Sequence, residues 1–215
     1  MEMGERPFSK SDFSNEKRYV YELGFWAAIA ATVILAIAGI TATAAIQPFA
    51  TLVGFLATCS FLIVMSCVHS YAPEEKKVFS LIGLSFAIIY ATLISTNYFI
   101  QLTFVNQTTY DASMFDMTNT QSMMMVLEVL GYCFMGVATL FAAPALGSTK
   151  AEKVAKWLFV VNGVLGMLTP IGYVTLPIEI LLVGLIGWDI IMPISTAALA
   201  YFFRQARKPL EKRSA

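Results

Sequence analysis

The sequence predicts an all-α fold, an integral membrane bundle of six transmembrane helices with the N-terminus and the C-terminus both cytoplasmic. Three observations predict it. Hydrophobic residues make up 58% of the 215 residues and charged residues 13%, about half the share of roughly 25% in a soluble domain. The apolar residues gather into runs of about 20 or more, enough to cross the hydrocarbon core of a bilayer. All 14 Lys and Arg residues fall in the two chain ends and in alternate connections, with Lys156 just inside the start of the fifth run.

In chain order the runs cover residues 23–45, 49–71, 78–105, 122–146, 154–175 and 178–203. Only helices suit them, because lipid offers no partner to an open sheet edge. The third run is long and is expected to tilt or protrude. Two connections are short and carry proline, Gln47-Pro48 and Leu176-Pro177. Proline cannot continue a hydrogen-bonded helix, so each predicts a tight hairpin. Runs five and six together far exceed one crossing, which favours six spans over five. The domain reading is a cytoplasmic segment 1–22, a transmembrane domain 23–203 and a basic tail 204–215. The polar start does not read as a cleavable signal peptide, leaving the first run as an uncleaved anchor.

Charge sets the orientation. Arg6, Lys10, Lys17 and Arg18 precede the first run, and Lys76 and Lys77 follow the second. Lys150, Lys153 and Lys156 follow the fourth, and Arg204, Arg207, Lys208, Lys212 and Arg213 follow the sixth. The intervening loops carry none, so the positive-inside rule places both ends in the cytoplasm. A multi-pass protein of the cell membrane is expected, with the lipid bilayer as its partner. The net charge of zero gives no field to attract nucleic acid.

Carboxylates inside apolar runs carry the functional reading, because ionisable groups there are costly and commonly functional. They are Glu128 in the fourth run, Asp189 in the sixth and Glu179 near that run's outer end, with no Lys or Arg at similar depth. Helical spacing gives polar stripes. Glu128 shares a face with Met124, Met125, Gly131, Tyr132, Met135 and Thr139. Tyr90, Asn97 and Gln101 share one on the third run, and Asn162, Gly166, Thr169 and Tyr173 one on the fifth.

At about 1.5 Å per residue, Glu128 and Asn97 lie about 10 Å below the outer surface, and Asp189 and Asn162 about 18–20 Å. The expected ligand-binding set is an upper level of Glu128, Asn97, Gln101, Thr169 and Glu179 over a lower level of Asp189, Asn162 and Tyr90. Tyr132 and Trp188 complete it, Trp188 as the pocket aromatic beside Asp189. Pro170 and Pro193 remove backbone bonds to Gly166 and Asp189, and such prolines either expose carbonyls to a ligand or simply kink helices for packing.

Other residues read more plainly. Cys59, Cys67 and Cys133 lie in apolar runs without metal-ligand spacing, so they act as small hydrophobes, and no metal or cofactor is expected. His69, the one histidine, reads as an interfacial polar tip. The methionines around Met123–Met125 suit packing better than copper. Asn106-Gln107-Thr108 is a glycosylation acceptor only in a host that uses one. The alanine-rich first run offers a docking face, for instance for a second copy.

Three functions remain open. The first is transport or binding of a cation, proton or small polar solute in an outward-facing polar cavity, using the carboxylates. The second is a membrane-embedded enzyme doing acid–base, isomerase-like chemistry on a lipid or apolar substrate. The third is a non-catalytic subunit or assembly factor.

The orientation is testable in intact cells. With the native cysteines replaced, a cysteine at Ser113 should react with a membrane-impermeant maleimide and one at Ser214 should not. The opposite pattern would reverse the topology.

Overall fold

The computed structural model describes residues 10–43, 47–105, 111, 113–116, 119–175, 184 and 186–214. Among them the structure is all-helical, and six helices are long and apolar enough to cross a membrane. They are α1 (Lys10–Thr43), α2 (Gln47–Tyr71), α3 (Lys77–Ile100), α4 (Met123–Ala142), α5 (Lys150–Thr175) and α6 (Met192–Ser214). Two stretches wind more widely, as π-helix: Gln101–Val105 continues α3, and Ile186–Ile191 leads into α6. The protein is a multi-pass membrane protein. The second proline connection and Glu179 lie outside the described residues, as does the Asn106 triplet.

Each helix packs against its neighbours in sequence, and α6 closes on both α5 and α1, so the six form a ring. The outer face carries exposed Leu23, Ile29, Val33, Leu56, Ile88, Val164 and Ile194, as a lipid-facing surface should. Lipid is as apolar as these side chains, so helix association depends on close packing and interhelical hydrogen bonds.

Glycines supply the close packing. At the α4–α5 crossing a β-carbon on Gly166 would stand 2.9 Å from Gly136 Cα, and one on Gly136 would stand 3.1 Å from the Gly163 carbonyl. Two backbones meet here with no side chain between them. At the α3–α4 crossing, a β-carbon on Gly83 would stand 2.7 Å from the Ala138 carbonyl.

The basic end of the bundle is locked by local chemistry. The Thr149–Glu152 pair forms a capping box that starts α5. Thr149 Oγ1 accepts from the Glu152 N–H at 3.2 Å, and Glu152 Oε1 accepts from the Thr149 N–H at 3.1 Å. Glu152 Oε2 also accepts from the N–H groups of Gly147 and Ser148 and from the Tyr71 hydroxyl of α2, at 3.1–3.2 Å. The carboxylate is fully buried, with its charge spread over these donors. Gly147 makes the turn with φ 141°, a region that side-chain-bearing residues rarely adopt.

His69 Nδ1 lies 2.9 Å from Ser80 Oγ, whose own proton goes to the Lys77 carbonyl. His69 therefore donates from Nδ1 and ties α2 to α3. In the structure α1 is helical from Lys10, because no glycine or proline interrupts residues 10–23. Its polar turns meet α6, where Arg207 lies 3.9 Å from Glu22 and 5.9 Å from the Phe25 ring centre.

The glycine contacts predict a graded response. Gly166→Ala should destabilise the folded protein in bicelles by about 1–3 kcal/mol. Gly39→Ala, whose β-carbon would meet only ordinary contacts at 3.6 Å, should be nearly neutral. Equal unfolding midpoints for the two variants would contradict the crossing.

Candidate functional site

Glu128 sits one and a half turns into α4, which Ser122 starts by accepting the Met125 N–H at 3.1 Å. Its side chain is 8% exposed and points at α3. Asn97 Nδ2 donates to Oε2 at 2.6 Å, and the Tyr98 hydroxyl donates to Oε1 at 2.8 Å. The same Asn97 amide lies 3.2 Å from the Met124 carbonyl. The Tyr98 hydroxyl also lies 3.0 Å from that of Tyr132. Since Tyr98 has one proton and gives it to the carboxylate, Tyr132 donates to Tyr98. Neither the Lys77–Glu74 nor the Arg207–Glu22 ion pair involves Glu128. The carboxylate is held by neutral donors.

The surrounding residues shape this group. Tyr98 crosses towards α2, where a β-carbon on Gly54 would stand 2.5 Å from its ring, so only glycine admits it. An aromatic row then runs across the ring of helices. Phe61 meets Tyr90 edge-on at 5.5 Å, Tyr90 lies 5.7 Å from Tyr132, and Tyr132 stacks on Trp188 at 4.0 Å. The row fills the centre and joins α2, α3 and α4 to the π segment before α6.

Above Glu128, the described residues between α3 and α4 are tied to the bundle. The Gln101 amide donates to the Phe115 carbonyl. Met123 N–H bonds to the Met114 carbonyl at 3.0 Å, and the Tyr173 hydroxyl of α5 bonds to the Thr120 carbonyl at 2.6 Å. Asp111 stands outside on this loop. The Ser113 backbone N–H, 3.0 Å away, holds its carboxyl below the ordinary aspartate range.

Below, buried Asn162 donates to Thr139 Oγ1 at 3.1 Å, and Thr139 donates to the Gly136 carbonyl at 2.9 Å. Asn162 Oδ1 faces Gly187, where a β-carbon would stand 3.2 Å away. Asn162 Oδ1, Trp188 Nε1 and Asn97 Oδ1 are buried and have no hydrogen-bond partner among the described residues. Thr169 turns back onto the Leu165 carbonyl at 3.0 Å and packs on Gly184.

The structure thus gathers Glu128, Asn97, Tyr132, Tyr90 and Trp188 into one connected group. Gln101 lies one turn above Asn97, and Asn162 and Thr169 lie on α5. Asp189 stands apart. Its side chain is exposed on the bundle surface, beside Gly39 of α1. Regular α spacing aims Asp189 inward, but Ile186–Ile191 winds as π-helix, which adds a residue to the turn and rotates the faces that follow.

Two further residues belong to this account. Tyr98 falls eight positions after Tyr90, within the same broad helical face, so spacing could have found it. Glu152 is announced by the Thr-x-x-Glu pattern. The set contains no group of three His, Cys, Asp or Glu side chains able to hold a metal among the described residues. Comparison with known proteins returns no match: no family model, no characterised sequence and no solved structure is similar to this chain.

Trp188 reports on this packing. Trp26 is 59% exposed, Trp157 65% and Trp188 8%. In bilayers of bromine-labelled lipid, Trp26→Phe/Trp157→Phe should leave a fluorescence signal that the bromines barely quench. Trp188→Phe should leave one that they quench strongly. Equal quenching of the two would contradict the buried stack.

Proposed function

We propose that this protein transports a proton, a cation or a small polar solute across the bilayer, with Glu128 as the group that takes up and releases charge. The observation that carries the reading is the setting of Glu128: a buried carboxylate on a membrane-spanning helix, held by Asn97 and Tyr98 with no basic partner among the described residues. A carboxylate in that setting answers strongly to a proton or cation, because nothing else balances its charge.

The tyrosine pair gives the group two arrangements. With Glu128 ionised, Tyr132 donates to Tyr98 and Tyr98 donates to the carboxylate. With Glu128 protonated, the carboxyl proton goes to Tyr98, and the Tyr98 proton turns to Tyr132. Both hydroxyls reverse, and the change reaches Tyr132, which stacks on Trp188. Uptake at Glu128 is thereby linked to the π segment leading into α6.

The outward-facing polar cavity of this reading opens when the cover over Glu128 lifts. Gln101 and Phe115, Tyr173 and Thr120 are its two latches. Asn97, Gln101 and Asn162 then orient the solute, with Thr169 beside them.

A second reading is favoured by one observation. Both oxygens of Glu128 are occupied by donors on α3, as a purely structural bond between helices requires. In a non-catalytic subunit the same group would serve assembly alone.

Proton flux separates the two. Protein reconstituted into liposomes with a trapped pH-sensitive dye, under an imposed potassium diffusion potential, should acidify or alkalise the lumen. Glu128→Gln should lower that rate by about ten-fold or more, in the range by which positioned acid–base groups change rates, while keeping its helical circular dichroism. Flux unchanged by the substitution, or absent in the parent protein, would leave the structural reading standing.

A further inference from the structure

Asp189 is unlike the other acidic groups of the bundle. Glu128 and Glu152 are buried and bonded within the ring, whereas the Asp189 side chain is exposed on the lipid-facing surface. It lies about 20 Å along the helix from Phe203 at the basic end, at roughly 1.5 Å per residue, well inside a hydrocarbon core of about 30 Å. Exposed Ile186 and Ile190 flank it in the π segment, and exposed Ile40 follows Gly39 on α1. Gly39, with no side chain, leaves the surface of α1 shallow beside the carboxylate, which lies 3.6 Å from its β-carbon position. Among the described residues the patch is therefore apolar, shallow at Gly39, and marked by a single acid.

We infer that this patch docks a transmembrane helix of another protein carrying one Lys or Arg at the depth of Asp189. Charge complementarity decides the occupant. Lipid tails offer Asp189 no donor, and an ionisable group at this depth finds a partner inside protein. A second copy of this chain supplies no cation, because every Lys and Arg lies in the segments at the basic end. Two copies would set aspartate against aspartate. A basic residue on a foreign helix satisfies the carboxylate, and the small Gly39 surface lets the two backbones approach. Arginine can bridge both carboxylate oxygens, and lysine bonds one.

The inference does not depend on transport by Glu128, and its test uses no flux. The full chain, fluorescently labelled, is reconstituted with a labelled synthetic poly-leucine helix bearing one lysine at its midpoint. A second peptide has leucine there and a third has aspartate. Energy transfer should show the lysine peptide associating about ten-fold more tightly than the leucine peptide, a difference of about 1.4 kcal/mol. Asp189→Asn, close to the parent in shape, should remove most of that preference, and Glu128→Gln should leave it intact. Equal association of the lysine and leucine peptides would overturn the inference. So would self-association of the parent chain that Asp189→Asn abolishes, because the occupant would then be a second copy.

Discussion

The bundle depends on how a charge-bearing group is accommodated inside a membrane span where the donors that reach it are neutral. Glu128 is accommodated by α3, which presents Asn97 and Tyr98 as adjacent donors to its two oxygens. Most other features of the bundle's interior follow from that pair of bonds. Tyr98 reaches the carboxylate because Gly54 vacates the surface of α2. Tyr132 is drawn to Tyr98, and its ring then forms the platform for Trp188. In lipid, where apolar burial between helices contributes little, such bonds and the glycine crossings are what fix one arrangement.

Glu152, Glu128 and Asp189 show three settings for an acid in the bundle, two buried and one exposed. Glu152 is neutralised locally by a helix start, three backbone N–H groups and Tyr71. Glu128 is served by side chains of a neighbouring helix. Asp189 is left at the surface, with no hydrogen-bond partner among the described residues. The first is architecture, the second is the group on which the proposed proton uptake rests, and the third is the group on which the proposed docking rests.

The fold was legible because its signal is one of length and charge. Six apolar runs needed no knowledge of packing, and the described helices overlap all of them. The site was legible in part. Glu128, Asn97 and Tyr132 fall together because α3 and α4 are regular α-helices at that level, so helical spacing gives their true faces. Asp189 escaped the same reasoning because it lies in a π turn, where the period on which spacing relies no longer holds. The ring closure of α6 onto α1 depends on contacts such as Thr32 with Thr196, whose hydroxyls lie 2.9 Å apart across 164 residues, and no local pattern encodes them. Gly54 and Gly187 carried no visible role until the side chains they admit, Tyr98 and Asn162, were placed.

The central claim is that Glu128 and Tyr98 are bonded to one another inside the bundle, and a double-mutant cycle measures that bond. Glu128→Gln, Tyr98→Phe and the combined variant are compared with the parent by reversible unfolding in bicelles. The account predicts a coupling of about 1 kcal/mol or more, the two single losses summing to more than the double loss. Strict additivity, within about 0.3 kcal/mol, would mean that the two side chains do not meet, and the proposed role of the tyrosine pair would fall with it.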